Sequence, residues 1–177
     1  VRFPLFASRV NYRNHRKVII VDGKTAFVGG LNIGDRYIDG EPGIGIWRDT
    51  HLQVDGEAAS CLQTVFLMDW YFASKQVIAS STQYFPPHTH VDDTTLVQIV
   101  TSGPDSDWAS IMQAYFSAIT TADEYVYIST PYFIPNESIS TALKTAAMSG
   151  VDVRILLPSR SDSRILLRAS YSYVEEF

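Results

Sequence analysis

Apolar and polar positions follow two different rhythms along this chain. Val18-Ile19-Ile20-Val21 and Thr25-Ala26-Phe27-Val28 are short β-branched or aliphatic runs separated by Asp22-Gly23. Asp-Gly between two such runs signals a hairpin, because the favoured two-residue turn needs positive φ at both central positions. Residues 16–21 and 25–29 are therefore predicted as the strands of a β-hairpin, and residues 50–54 as a further strand. The rhythm then changes: Ala58, Cys61, Leu62, Val65, Met68 and Phe72 recur at helical spacing, which predicts a helix over 57–72 with Cys61 packed in its core-facing stripe. Pro86-Pro87, His88 and His90 fall in a stretch, residues 80–94, that reads as a linker.

Beyond residue 95 strand and helix patterns alternate. Residues 96–101 read as a strand, followed by a helix with Trp108, Ile111, Met112, Tyr115, Ile119 and Ala122 on one face. A strand over 125–129 leads to a helix capped by Asn136, running to Met148 and closed by Gly150. A strand over 151–157 and a helix from Ser163 complete the series. Such alternation predicts a parallel sheet covered on both faces. Asn136-Glu137-Ser138 also has the form of a glycosylation sequon, but a helix cap accounts for it better.

The hairpin carries the chemistry. His15, Lys17 and Asp22, followed by Gly29-Gly30-Leu31-Asn32, form the pattern HxKxxxxD…GGxN. An imidazole is neutral near pH 7 and suits nucleophilic attack on a phosphodiester. Lys17 offers a point charge to non-bridging oxygens, Asn32 an amide donor, and Gly30 close approach of backbone to phosphate. These roles call for no metal and no cofactor. Alternation puts His15 and Lys17 on one strand face. With an even-numbered connecting loop, His15 pairs with Gly30 or Asn32 and all four converge. Asp22, of opposite parity to Lys17 and at the turn, is expected to point away and to serve hairpin geometry.

A nucleophilic histidine also needs a partner for its second ring nitrogen. Asp49, in Ile46-Trp47-Arg48-Asp49-Thr50-His51, is the candidate, and His51 shares its face. Each residue has a plainer reading: a surface histidine, an exposed strand lysine, a turn asparagine, a loop aspartate, and for His51 an exposed position on a half-buried strand. Coincidence of all these types at fixed offsets favours the site. Residues 29–34 lack the GxxxxGK[ST] order of a nucleotide loop, and His88-Thr89-His90 lacks a third metal ligand.

The pattern resembles the signature of the phospholipase D superfamily, whose members break or exchange phosphodiester bonds through a phosphohistidine. The segments Ser8-Arg9-Val10-Asn11-Tyr12-Arg13-Asn14-His15-Arg16-Lys17, Trp47-Arg48-Asp49-Thr50-His51 and Thr130-Pro131-Tyr132-Phe133-Ile134-Pro135 narrow the likeness to bacterial cardiolipin synthases. The resemblance implies an α/β fold, a mixed sheet flanked by helices, arranged as parts of two pseudo-repeat domains. Residues 1–79 are expected to end the first, with the hairpin, and residues 95–177 to open the second. It implies a catalytic set of His15, Lys17, Asp22, Asn32 and Asp49, with Lys17, Gly30 and Asn32 on the phosphate and Asp49 orienting the ring. Gly30 departs from the serine common in the superfamily, which leaves the backbone amide to donate. The implied reaction is phosphatidyl transfer between two phosphatidylglycerol molecules at a cell membrane, reached through amino-terminal helices outside this sequence. A hydrolytic lipase or nuclease of the same superfamily is the alternative.

Such enzymes carry two HxKxxxxD motifs, the second histidine serving as acid. Only one occurs among the 177 residues. With Val1 at the start and Glu175-Glu176-Phe177 in a helical pattern, the chain is expected to be an inactive, soluble fragment that binds phosphate and exposes surfaces open to self-association. A net charge of −5 disfavours a nucleic-acid groove, which normally shows a basic stripe. The single cysteine excludes an internal disulfide and matches a reducing compartment.

Overall fold

A computed structural model describes residues 14–87, 95–103, 106–175 and 177. The fold is mixed α/β, as expected, and divides into two compact units: residues 14–41, 46–87 and 95–103 form the first, and residues 42–45 with the described residues from 106 onward form the second. His88, His90 and the segment before Asn14 lie outside the described residues.

In the first unit, β1 (Val18–Val21), β2 (Thr25–Gly29) and β3 (His51–Asp55) form an antiparallel sheet in the order β1-β2-β3, and α1 (Glu57–Ser74) packs on it. Asp22 and Gly23 turn the hairpin with φ of 54° and 66°, the positive pair the sequence called for. A Cβ on Gly23 would stand 2.3 Å from the Tyr84 carbonyl oxygen, so the 82–86 turn lies directly on this glycine. Even-numbered strand residues face the helix: Ala26 is buried against Ala59 and Leu62 of α1, and Val18, Ile20, Val28 and Val54 pack around them together with Ile99.

Two expectations fail here for identifiable reasons. Cys61 is exposed, as are Met68 and Phe72, while Ala59, Leu62 and Gln63 take the inward face. The helix carries apolar side chains around its whole circumference, and the small Ala59 lets it approach Ala26 closely. Residues 96–101 form no strand: Leu96 is fully exposed, and Ile99 alone turns into the hairpin core.

The second unit contains α2 (Ser110–Thr120), β4 (Tyr125–Ser129), α3 (Glu137–Met148), β5 (Asp152–Leu156) and α4 (Arg164–Val174). β4 and β5 pair in parallel, and Ile119, Phe133, Ala142, Leu143, Ala146 and Val151 form the core, with Val126, Ile128, Val153 and Ile155 packed on it. Asn136 Oδ1 accepts from the Ile139 amide at 2.9 Å, confirming the cap, and Gly150 ends α3 with φ of 96°. Ser163 likewise caps α4. Trp108 lies before α2 and is exposed.

The expected cover on both sheet faces is not seen among the described residues. Tyr125, Tyr127 and Leu156 are exposed on the outer face. There Asp152 accepts from the Tyr127 hydroxyl at 2.7 Å and pairs with Arg154 at 2.8 Å. Hydrogen bonds from Arg154, and then from Tyr127, hold the Asp152 carboxyl below its ordinary range, while Asp152 raises the Tyr127 hydroxyl. On the inner side, the Thr130-Pro131-Tyr132-Phe133 segment is tied down by Ser170, whose Oγ accepts from the buried Phe133 amide at 2.9 Å and donates to the Leu166 carbonyl at 3.0 Å.

Candidate functional site

The hairpin register decides which side chains meet. Val18 pairs with Val28 and Val21 with Thr25, so the connecting loop holds three residues, Asp22, Gly23 and Lys24. The count is odd. Continued past the paired residues, this register sets Lys17 opposite Gly29 and His15 opposite Leu31, not opposite Gly30 or Asn32 as an even loop requires. On the next strand Gly29 pairs with His51. Lys17, Gly29 and His51 therefore form a row across one face, and the space a side chain at Gly29 would take is filled by His51, whose Nδ1 lies 2.7 Å from where a Cβ would stand.

A cleft of about 550 Å³ opens over this row, lined by Arg16, Lys17, Asn32 and His51 together with Val18, Ile19, Phe27, Leu31 and Ile33. Asn32 reaches it although its parity in the sheet is wrong, because β2 stops at Gly29 and the chain then leaves the pleat. Its amide donates to the Tyr37 hydroxyl at 3.1 Å, and Tyr37 packs edge-on against Trp47, 6.0 Å between ring centroids. Arg36 lies over the same indole at 4.9 Å. The 35–37 turn thus holds Asn32 in place through aromatic contacts that no short motif announces. His51 Nδ1 is buried with no hydrogen-bond partner, as is Trp47 Nε1.

His15 is exposed and engaged by its neighbour. Lys17 Nζ donates to the His15 carbonyl at 2.7 Å and stands 2.8 Å from Nδ1 and 3.2 Å from Nε2. An ammonium only donates, so any bond it makes to the ring occupies the lone pair of the nitrogen that accepts it, and attack by that nitrogen requires the ammonium to move aside. Asp49 is not joined to this ring: its Oδ1 accepts from the Thr50 amide at 2.8 Å. The same carboxylate lies against Gly30, where a Cβ would stand 2.1 Å from Oδ1. The room expected at Gly30 for a phosphate is filled by Asp49. Asp22 sits at the far end of the hairpin, exposed. It is five residues from Lys17, about 16 Å along a strand at 3.3 Å per residue, so it does not reach the cleft.

Sequence reasoning missed a second cluster beneath His15. Asn14 Nδ2 donates to Asp69 Oδ2 at 2.8 Å, Arg16 Nη1 donates to Asp69 Oδ1, and the Arg16 amide donates to Asn14 Oδ1 at 2.9 Å. The available signal was an aspartate inside an otherwise apolar stretch of α1, with two polar residues flanking the histidine at strand spacing.

Residues 115–177 match the PLD-like domain of cardiolipin synthases, the second unit's part of the chain. The likeness of this segment is to the class of proteins that carry PLD-like domains. Within that class the whole chain is similar over 99% of its length to bacterial proteins named cardiolipin synthase. Identity is 47% with one from a Geobacillus species and 49% with one from Halalkalibacterium halodurans. A probable cardiolipin synthase of Bacillus subtilis is 45% identical over the same 99%. The chain spans 35% of the length of each of these relatives.

Proposed function

We propose that this chain carries one half of the catalytic centre of a phosphatidyl transferase that makes cardiolipin from two phosphatidylglycerol molecules. The observation that carries this reading is a partly apolar cleft lined by Lys17 and Asn32, with His15 held against the Lys17 ammonium, 2.8 Å from Nδ1. A diacylglycerol phosphate suits such a lining: Lys17 and Asn32 face its phosphate, while Ile19, Phe27 and Leu31 face its apolar part. A ring nitrogen of His15 attacks phosphorus, the bond to the departing glycerol oxygen breaks, and a phosphatidyl-histidine forms. The hydroxyl of a second phosphatidylglycerol then attacks, passing its proton to the group that had protonated the departing glycerol, the N–P bond breaks, and cardiolipin leaves with His15 restored. Lys17 and Asn32 stabilise the charge that builds on the non-bridging oxygens. Asp49 steadies the imidazolium after leaving the Thr50 amide, while Asp22 keeps the hairpin's geometry. The acid that protonates the departing glycerol is the histidine of a second motif, which this chain does not contain.

In this reading residues up to about 79 end one phospholipase D-like domain and residues 95–177 open the next. The substrate is met at a membrane surface, and no helix among the described residues is long and apolar enough to cross one. The test uses phosphatidylglycerol labelled in its phosphate, presented in vesicles to the chain and to the full-length protein. The full-length protein transfers label to His15 and releases cardiolipin and glycerol, His15→Ala takes up none, and the chain alone gives no steady turnover. Phosphatidic acid as the sole product would identify a hydrolase, and label retained by His15→Ala would remove the histidine from its role.

A further inference from the structure

We propose that Asp69 of α1 is the positioning residue of the nucleophile, a reading that rests on His15 being that nucleophile. The pairing of β1 begins at Val18, so residues 14–17 have no ladder of backbone hydrogen bonds to fix them. Side chains must do this instead. The residue on each side of His15 is bound to the same carboxylate: Asn14 through Nδ2 to Oδ2 at 2.8 Å, and Arg16 through Nη1 to Oδ1. Asn14 closes the group by accepting the Arg16 amide at 2.9 Å.

Alternation turns this anchorage into an orientation. Asn14 and Arg16 have the parity of Val18 and Ile20, which face α1; His15 and Lys17 have the opposite parity. Pinning residues 14 and 16 to the helix therefore turns 15 and 17 toward the opposite face of the sheet, where Lys17 lines the cleft. Asp69 is partly buried, with 27% of its side chain exposed and 35% of that of Arg16. The pair is charge-assisted and three hydrogen bonds act together, which sets it apart from an isolated surface ion pair. Asp69 touches neither the cleft nor the ring, so its action on chemistry passes through the backbone of residue 15.

The test compares wild type with Asp69→Asn, Arg16→Gln and the double variant, using two readouts. The first needs no reaction: amide order parameters of the labelled chain. Asp69→Asn is expected to lower those of residues 14–17 from about 0.85 to below about 0.6, with β2 and α1 unchanged. The second is label transfer from phosphatidylglycerol vesicles to His15 in the full-length protein. There Asp69→Asn lowers the maximal rate by about 10–100-fold, the scale expected of a misplaced reacting group, with the half-saturating lipid concentration held within about twofold. Because both side chains belong to one clamp, the double variant loses no more than the worse single variant. Unchanged order at residues 14–17, or losses that multiply in the double variant, would overturn the proposal. A wild-type protein that transfers no label defeats the proposed function instead, and the order parameters then decide the anchorage by themselves.

Discussion

Ser170→Ala removes one oxygen from the second unit, and its effect follows from what that oxygen does. Ser170 is 1% exposed, and its hydroxyl is the acceptor for the amide of Phe133, itself buried in the core. Alanine leaves that N–H without a partner in an apolar surrounding, a loss of about 1–3 kcal/mol. The hydroxyl's other bond, to the Leu166 carbonyl, is the i−4 type and its loss is minor, since helix geometry already supplies that carbonyl with an amide. Alanine recovers about half a kcal/mol of helix propensity. The net expectation is a destabilisation of about 1–2 kcal/mol, roughly a tenfold rise in the opened population.

Amide exchange is the appropriate assay, because a chain of two compact units can open one without the other. The Phe133 amide should lose most protection, followed by its neighbours in the 130–135 segment and α4. Ser172→Ala is the control: on the same helix, this serine is exposed and its Oγ donates only to the Ala169 carbonyl. Its replacement should stay within about 0.5 kcal/mol of wild type. If Ser170→Ala left Phe133 exchange unchanged, or if both serines gave equal losses, the buried amide would not be the cause.

Gly23→Ala and Gly150→Ala separate backbone strain from crowding. Both glycines have positive φ, but a Cβ at Gly150 meets nothing within 4 Å while one at Gly23 meets the Tyr84 carbonyl at 2.3 Å. Urea unfolding should show about 1–2 kcal/mol lost at Gly150 and clearly more at Gly23, where the 82–86 turn must also move. Acid should weaken both sheets. Asp55, bonded by Thr25 and Gln53, and Asp152, bonded by Arg154 and Tyr127, are held below the ordinary carboxylate range. A depressed folded pKa contributes stability that is present above the unfolded value, about 3.9, and lost as pH falls through the folded one. Urea midpoints measured from about pH 5 to about pH 2 should fall less steeply in Asp152→Asn; an identical slope would remove this carboxylate from the acid response.

Local signals in the sequence were read correctly where one or two residues determine the backbone. Asp22-Gly23 gave the hairpin, Asn136 and Gly150 bounded α3, and Ser163 began α4, because each acts through its own φ or its own side-chain oxygen. Signals that depend on packing were less legible. The number of residues in the turn was not fixed by Asp-Gly, and with it went the register and the fourfold convergence on His15. α1 offered apolar residues on every side, so no stripe told which face would meet Ala26. The Asp69 cluster joins residues 53 and 55 positions apart, a distance at which no periodicity speaks.

One physical device links the legible part to the rest. In a three-stranded sheet with one face on a helix, parity divides core from chemistry: Val18, Ile20, Ala26, Val28 and Val54 lie on the helix side, Lys17 and His51 on the other. A slip of one residue in the hairpin would exchange the two sets, sending Lys17 toward Ala59 and Leu62 and Ile20 into the cleft. What prevents the slip is the turn. Asp22 occupies φ of 54°, a conformation that aspartate, asparagine and glycine adopt more readily than other residues, and Gly23 lies locked beneath Tyr84. The end of the hairpin remote from His15 thereby governs which face His15 occupies, and Asp69 repeats the same instruction at the near end, where no strand pairing is left to give it.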